Sequence, residues 1–105
     1  ANMATKTEAA RALVYSVARY MDSDPGDVSK LAAMAKMFPG DVAMEVATEA
    51  VQVLGGYGYM QDYPVEKMMR DAKILQIYEG TNEIQRNIIG QELSKEYGRL
   101  KETFF

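Results

Sequence analysis

Apolar residues recur along nearly the whole chain at spacings of three and four, and no segment alternates polar and apolar residues between hairpin turns. That period places side chains on one stripe of an α-helix, and it predicts an all-α chain. Ala10, Leu13, Val14, Val17, Ala18 and Met21 form the first stripe, on a helix from Met3 to about Met21. Asp22-Ser23-Asp24-Pro25-Gly26 stops it. Asp24 then suits an N-cap, with Pro25 in the first helical position and Asp27 in a first turn where carboxylates favour the helix dipole.

The next helix is predicted from about Pro25 to Leu54. Leu31, Met34, Ala35 and Phe38 make its first stripe, and Val42, Val46, Ala47, Ala50, Val53 and Leu54 its second. Pro39-Gly40 falls between them. A proline inside a helix lacks a donor and crowds the preceding turn, so a kink is expected there, or a break with Asp41 recapping. Gly55-Gly56 is a natural stop. Gly55 to Tyr63 reads as a glycine- and tyrosine-rich loop. Pro64 opens a short helix to about Leu75, supported by Glu66/Arg70 and Lys67/Asp71 and facing a core with Val65, Met68, Met69, Ala72 and Leu75. A connection over Ile77–Thr81 leads to a last helix from about Thr81 to Leu100, with Ile84, Ile88, Ile89 and Leu93 apolar. The expected architecture is an antiparallel helical bundle of three to five helices, one unit over residues 1–105. Several helices are apolar on more than one side, as though a neighbour were missing.

Composition narrows the chemistry. The chain has 105 residues, 48% of them hydrophobic, which is the composition of a globular protein. It has no Cys and no His, so disulfides, thiolate or imidazole metal ligands and a Ser–His–Asp triad are excluded. Acid–base work falls to carboxylates, Lys, Tyr, Arg or a cofactor. A net charge of −3 and a pI of about 4.9 argue against a nucleic-acid or anionic-membrane surface. No apolar run reaches the ~18 residues of a membrane span, and the first residues carry no basic-then-apolar leader pattern.

Three places can carry chemistry. Gly55-Gly56-Tyr57-Gly58 fails the GxGxxG spacing and follows a helix instead of a strand, so a dinucleotide loop is disfavoured; a glycine C-cap and tight turn is the simpler reading, although such a backbone can also approach a ligand closely. Glu79 lies between Ile77-Tyr78 and a helix start. Partial desolvation there would raise its pKa and suit a general base; the alternative is an acidic residue that favours the helix N-terminus. Thr81, Asn82 and Glu83 open a helix whose free N–H groups can cap or bind a polar ligand. Tyr57, Tyr59 and Tyr63 can stack on a ligand or anchor their loop, and the eight methionines read as core filler.

The runs Val51–Tyr59 (VQVLGGYGY), Tyr63–Lys73 (YPVEKMMRDAK) and Gln76–Arg86 (QIYEGTNEIQR) together resemble the C-terminal domain of the acyl-CoA dehydrogenases, with the short-chain, butyryl-CoA type nearest in pattern. The resemblance runs from Met3 to about Leu100. It implies a piece of a longer flavoenzyme, the C-terminal bundle without its first helix and without the Arg-x-x-Phe-Gly flavin motif. Glu79 matches the base that removes the α-proton of an acyl-CoA thioester, while hydride passes to FAD and a trans-2-enoyl-CoA forms. Tyr78 and Gly80 match substrate contacts, Thr81, Asn82 and Glu83 match positions near the flavin, and Gln52, Val53, Leu54, Gly55 and Gly56 match a segment that reaches the adenosine–diphosphate part of FAD held by a neighbouring subunit. An acidic residue at Glu79 points to the straight-chain branch. The resemblance further implies a homotetramer, an electron-transfer flavoprotein as redox partner, and a place in the bacterial cytoplasm or the mitochondrial matrix. It implies no activity for the chain alone. An acyl-CoA oxidase, or a helical assembly module without catalysis, stands as the alternative.

Overall fold

The structure, a computed structural model, describes residues 1–104, with Phe104 described by its backbone alone. It contains α1 (Asn2–Asp22), α2 (Ser29–Leu54), α3 (Gly56–Tyr59), α4 (Val65–Lys73), a 3-10 turn (Ile74–Gln76) and α5 (Asn82–Phe104). Among the described residues no strand occurs, as the period predicted. The centre is α2, which touches every other element. It runs antiparallel to α5, since Lys30 pairs with Glu96 and Lys36 with Asn82. It is antiparallel to α1 as well, because Lys6 near the start of α1 pairs with Glu45 near the end of α2.

Three local expectations are corrected. Asp24 takes a left-handed φ of 55° directly after α1, and its N–H donates to Met21 O. A residue so placed terminates the preceding helix and cannot supply the extended backbone of an N-cap. The connection therefore absorbs Pro25, and α2 starts four residues later. Asp27 Oδ1 there accepts from the Ser29 amide at 2.9 Å and the Ser29 hydroxyl at 2.6 Å, an Asx turn lying just outside the helix. These bonds hold the Asp27 carboxyl below its usual range.

Secondly, of the two outcomes expected at Pro39 the break with Asp41 recapping does not occur: α2 is one helix through the proline. Interior proline costs a helix about 3 kcal/mol. Tertiary bonds grip both sides of the ring: Lys36 Nζ and Met37 O on one, the Asp41 carboxylate on the other, all tied to Asn82. Asp41 does not recap the helix; its side chain is spent on these contacts. Thirdly, the loop after Gly55 contains one helical turn, α3, folded so tightly against α2 that a Cβ on Gly58 would lie 2.4 Å from Val51 O. Tyr57 and Tyr63 close this turn by packing at 5.6 Å between ring centroids. The short helix α4 forms as expected, with Glu66–Arg70 at 3.2 Å and Lys67–Asp71 at 2.7 Å, although Pro64 caps it and its last turn tightens to 3-10.

The core is thin. Its buried apolar members are Ala10, Val17, Ala33, Val42 and Ala72. Met21, Met68, Ile84 and Leu93, all on expected core stripes, are exposed. The radius of gyration is 17.4 Å, against about 13 Å for a compact domain of this length. The accessible surface is 7548 Å², where a compact protein of this mass exposes about 5,900 Å². The excess is about 1,700 Å², and the exposed stripe residues contribute to it. No described helix is long and apolar enough to cross a membrane.

Candidate active site

The joint between the 3-10 turn and α5 is built by backbone turns and then by buried amides. The N–H groups of Ile77 and Tyr78 both donate to Ile74 O, each at 3.0 Å, which closes the end of the 3-10 turn. Glu79 and Gly80 follow with φ of 57° and 84°, two left-handed residues in succession. Thr81 then caps α5, its hydroxyl accepting from the Ile84 amide at 3.2 Å.

Beneath this joint lies a polar bracket. Asn82 is 1% exposed. Its amide nitrogen donates to Met37 O at 3.0 Å and to Asp41 Oδ1 at 2.8 Å, and its oxygen accepts from Lys36 Nζ at 2.7 Å. Asp41 also accepts from Gln76 Nε2 at 2.8 Å and from the Arg86 guanidinium. Burial pushes the Asp41 carboxyl up, but the hydrogen bonds from Asn82, Gln76 and Arg86, with the Arg86 charge, outweigh it and hold the group below its usual range. Among the described residues no buried side-chain nitrogen or oxygen lacks a partner, as a buried polar cluster requires.

Glu79 sits on the outer side of the bracket. With Tyr78, Leu75, Pro39, Gly40 and Lys36 it lines a cleft of about 470 Å³. Its side chain is exposed, contrary to the partial burial expected between Ile77 and the helix start, because Ile77 and Tyr78 are themselves half-exposed. Among the described residues its carboxylate has no ion pair or hydrogen bond, and its backbone N–H has no acceptor. An unspent carboxylate beside apolar walls can take a proton from an apolar ligand that covers it.

The remaining candidates fall in two groups. Gln52, Val53, Leu54, Gly55 and Gly56 are exposed at the end of α2, apart from the Glu79 cleft. A Cβ built on Gly55 or Gly56 meets nothing, so that backbone is clear of its own chain and open to a bulky group. Thr81 and Glu83 flank the start of α5, Thr81 half-buried and Glu83 exposed. The Asn82 side chain is closed to any cofactor, since burial and its three intrachain bonds consume it. Among the described residues no group of His, Cys, Asp or Glu is placed to hold a metal ion.

Lys36, Gln76, Gln85 and Arg86 were not singled out by sequence, and Asp41 was named only as a helix cap. One signal was available: Asn82 and Gln85 occupy the i and i+3 positions of a stripe that continues to Ile88 and Ile89, and polar side chains on a core stripe need buried partners.

The helical bundle has the all-α architecture expected of the family that the sequence resembles, and comparison with known proteins agrees. Residues 1–94 match the family profile described as acyl-CoA dehydrogenase, C-terminal domain. The chain belongs to the acyl-CoA dehydrogenase family. It is 56% identical over 96 residues to cyclohexane-1-carbonyl-CoA dehydrogenase of Geobacter metallireducens, covering 91% of this chain and 25% of that one. It is 57% identical over 93 residues to an acyl-CoA dehydrogenase of Bacillus subtilis, covering 89% and 24%. Butyryl-CoA dehydrogenase of Megasphaera elsdenii superposes with a TM-score of 0.81 at 52% identity, over 88% of this chain and 24% of that one. The chain thus spans about a quarter of the length of these relatives.

Proposed function

We propose that this chain, residues 1–105, is the greater part of the C-terminal helical domain of an FAD-dependent acyl-CoA dehydrogenase, and that Glu79 is its catalytic base. The observation that carries this reading is the unpaired Glu79 carboxylate, on a left-handed residue that lines a cleft with Leu75, Pro39 and Tyr78. The relatives' names, which specify cyclohexane-1-carbonyl-CoA and butyryl-CoA, support an acyl-CoA thioester as substrate class.

In this reading Glu79 takes the α-proton of the thioester, and the electrons of that C–H bond enter the new α,β double bond of a trans-2-enoyl-CoA. FAD, when bound, supplies the acceptor for the β-hydrogen, which leaves as hydride. The free N–H of Glu79 donates to the thioester oxygen, where charge develops as the proton departs. Tyr78 and Gly80 flank the acyl group. The carboxylate is wet in the chain alone; an acyl chain laid over the cleft excludes that water from the site of proton transfer. Gly55 and Gly56, with Gln52, Val53 and Leu54 before them, meet the diphosphate portion of the FAD of a neighbouring subunit, within a homotetramer. Thr81 and Glu83 lie toward the flavin. Electrons leave to an electron-transfer flavoprotein, in the bacterial cytoplasm or mitochondrial matrix. The chain alone, a quarter of such an enzyme, is inactive.

Glu79→Gln in the whole polypeptide tests the base. The expected result is loss of turnover with butyryl-CoA by about 10²- to 10⁴-fold while the protein stays yellow. Undiminished turnover refutes the assignment. It would favour instead a helical assembly module, the reading to which the large unpartnered surface lends weight. Oxygen consumption during turnover would identify an oxidase.

A further inference from the structure

Glu79 and Gly80 are held in a conformation that one of them disfavours. Glycine enters the left-handed region freely, whereas the Cβ of a glutamate crowds the next carbonyl there. Such a residue persists only where its surroundings over-determine it. The carbonyls of these two residues lie outside the hydrogen-bond ladder of α5, whose first acceptor is Thr81 O. Side chains take them instead. Gln85 Nε2, nearly buried on α5, donates to Glu79 O at 3.1 Å and to Gly80 O at 3.3 Å. Lys36 Nζ, from α2, donates to Gly80 O at 2.7 Å. The ammonium is itself fixed by Asn82 Oδ1, and so by the whole bracket around Asp41.

We propose that Lys36 and Gln85 are positioning residues for the Glu79 carboxylate: by gripping the Glu79 and Gly80 carbonyls they hold the left-handed pair that sets Glu79 in the lining of the cleft. The inference rests on Glu79 being the base. Released from either grip, Glu79 relaxes to a right-handed or extended φ, and its Cβ swings to the other side of the backbone. The carboxylate then leaves the position from which it meets the α-carbon, while the acyl-binding walls formed by Leu75 and Pro39 stay in place. The lysine acts at a carbonyl and not at the carboxylate, since it makes no ion pair with Glu79. Its effect therefore falls on the rate of proton removal more than on substrate binding.

Lys36→Met, Lys36→Arg, Gln85→Met and Glu79→Gln, each in the whole polypeptide, provide the test, read by kinetics with butyryl-CoA and by amide hydrogen exchange of the unliganded protein. For Lys36→Met the expected result is kcat lower by about 10- to 100-fold with KM nearly unchanged, as a displacement of a reacting group by an ångström produces. Exchange over residues 77–82 should quicken by about tenfold, the equivalent of one hydrogen bond, while α1 keeps its protection. Lys36→Arg, which keeps the donor, should restore most of kcat. Should Lys36→Met not fold, Gln85→Met releases the Gly80 carbonyl, and the Glu79 carbonyl with it, from α5 and carries the same expectations. Wild-type kcat in Lys36→Met, or slowed turnover without faster exchange at 77–82, overturns the proposal. Full turnover in Glu79→Gln overturns the base itself, and with it any catalytic part for the bracket; lost turnover there beside wild-type kcat in Lys36→Met sinks the bracket alone.

Discussion

Lys36 Nζ lies 2.7 Å from the carbonyl oxygen of Gly80, although 44 residues separate the two along the chain. One turn of α2 is thereby fastened to the joint that presents Glu79. Gly40, one turn after Lys36, completes the fastening by letting the 3-10 turn and α5 approach the helix backbone.

That approach leaves no room for a side chain. A Cβ on Gly40 would lie 2.9 Å from Leu75 O and 3.2 Å from Asn82 Nδ2, the first a backbone atom that cannot step aside alone. Gly40→Ala should therefore destabilise the chain by about 1–3 kcal/mol despite alanine's better helix propensity. Urea unfolding followed by far-ultraviolet circular dichroism measures this. An unchanged midpoint would mean that the joint sits farther from α2.

Acid should loosen the same joint through Asp41. Its carboxyl ionises in the folded chain at a pH below its ordinary value of 3.8. The unfolded chain therefore binds that proton first, and the contribution of the group is whole above about pH 4 and is lost as pH falls through the folded value. Asp41→Asn should be less stable than the parent at pH 6 and should change less between pH 4.5 and pH 2.5. Urea midpoints at these pH values check both, and parallel pH profiles for the two proteins would contradict the assignment.

The uncovered stripes make a prediction about the isolated chain. Met21, Met68, Ile84 and Leu93 are exposed on stripes that pack elsewhere in a bundle, and the surplus surface of about 1,700 Å² is comparable to that of a standard protein interface. Light scattering on the chain at high concentration should record dimers or larger species. A clean monomer would show that water covers these stripes without penalty.

Local chemistry was enough to mark the helices. The three-and-four spacing of Leu13, Val14 and Val17, the Glu66–Arg70 and Lys67–Asp71 pairs, and the glycine stop at Gly55 all depend on residues within a turn or two of each other, and all appear where they were read. The motif around Glu79 was legible for the same reason, being contiguous. What the sequence left open was decided at a distance. Asp24 ends a helix instead of starting one, Pro39 interrupts nothing, and Glu79 stands left-handed, because each outcome turns on backbone geometry that neighbours in sequence do not dictate. Asn82 reaches Met37 and Asp41 across more than 40 residues, and Gln76 reaches Asp41 across 35. Buried donors and acceptors must find partners wherever the folded chain brings them, and only the packing of α5 and the 3-10 turn on α2 determines which ones they meet.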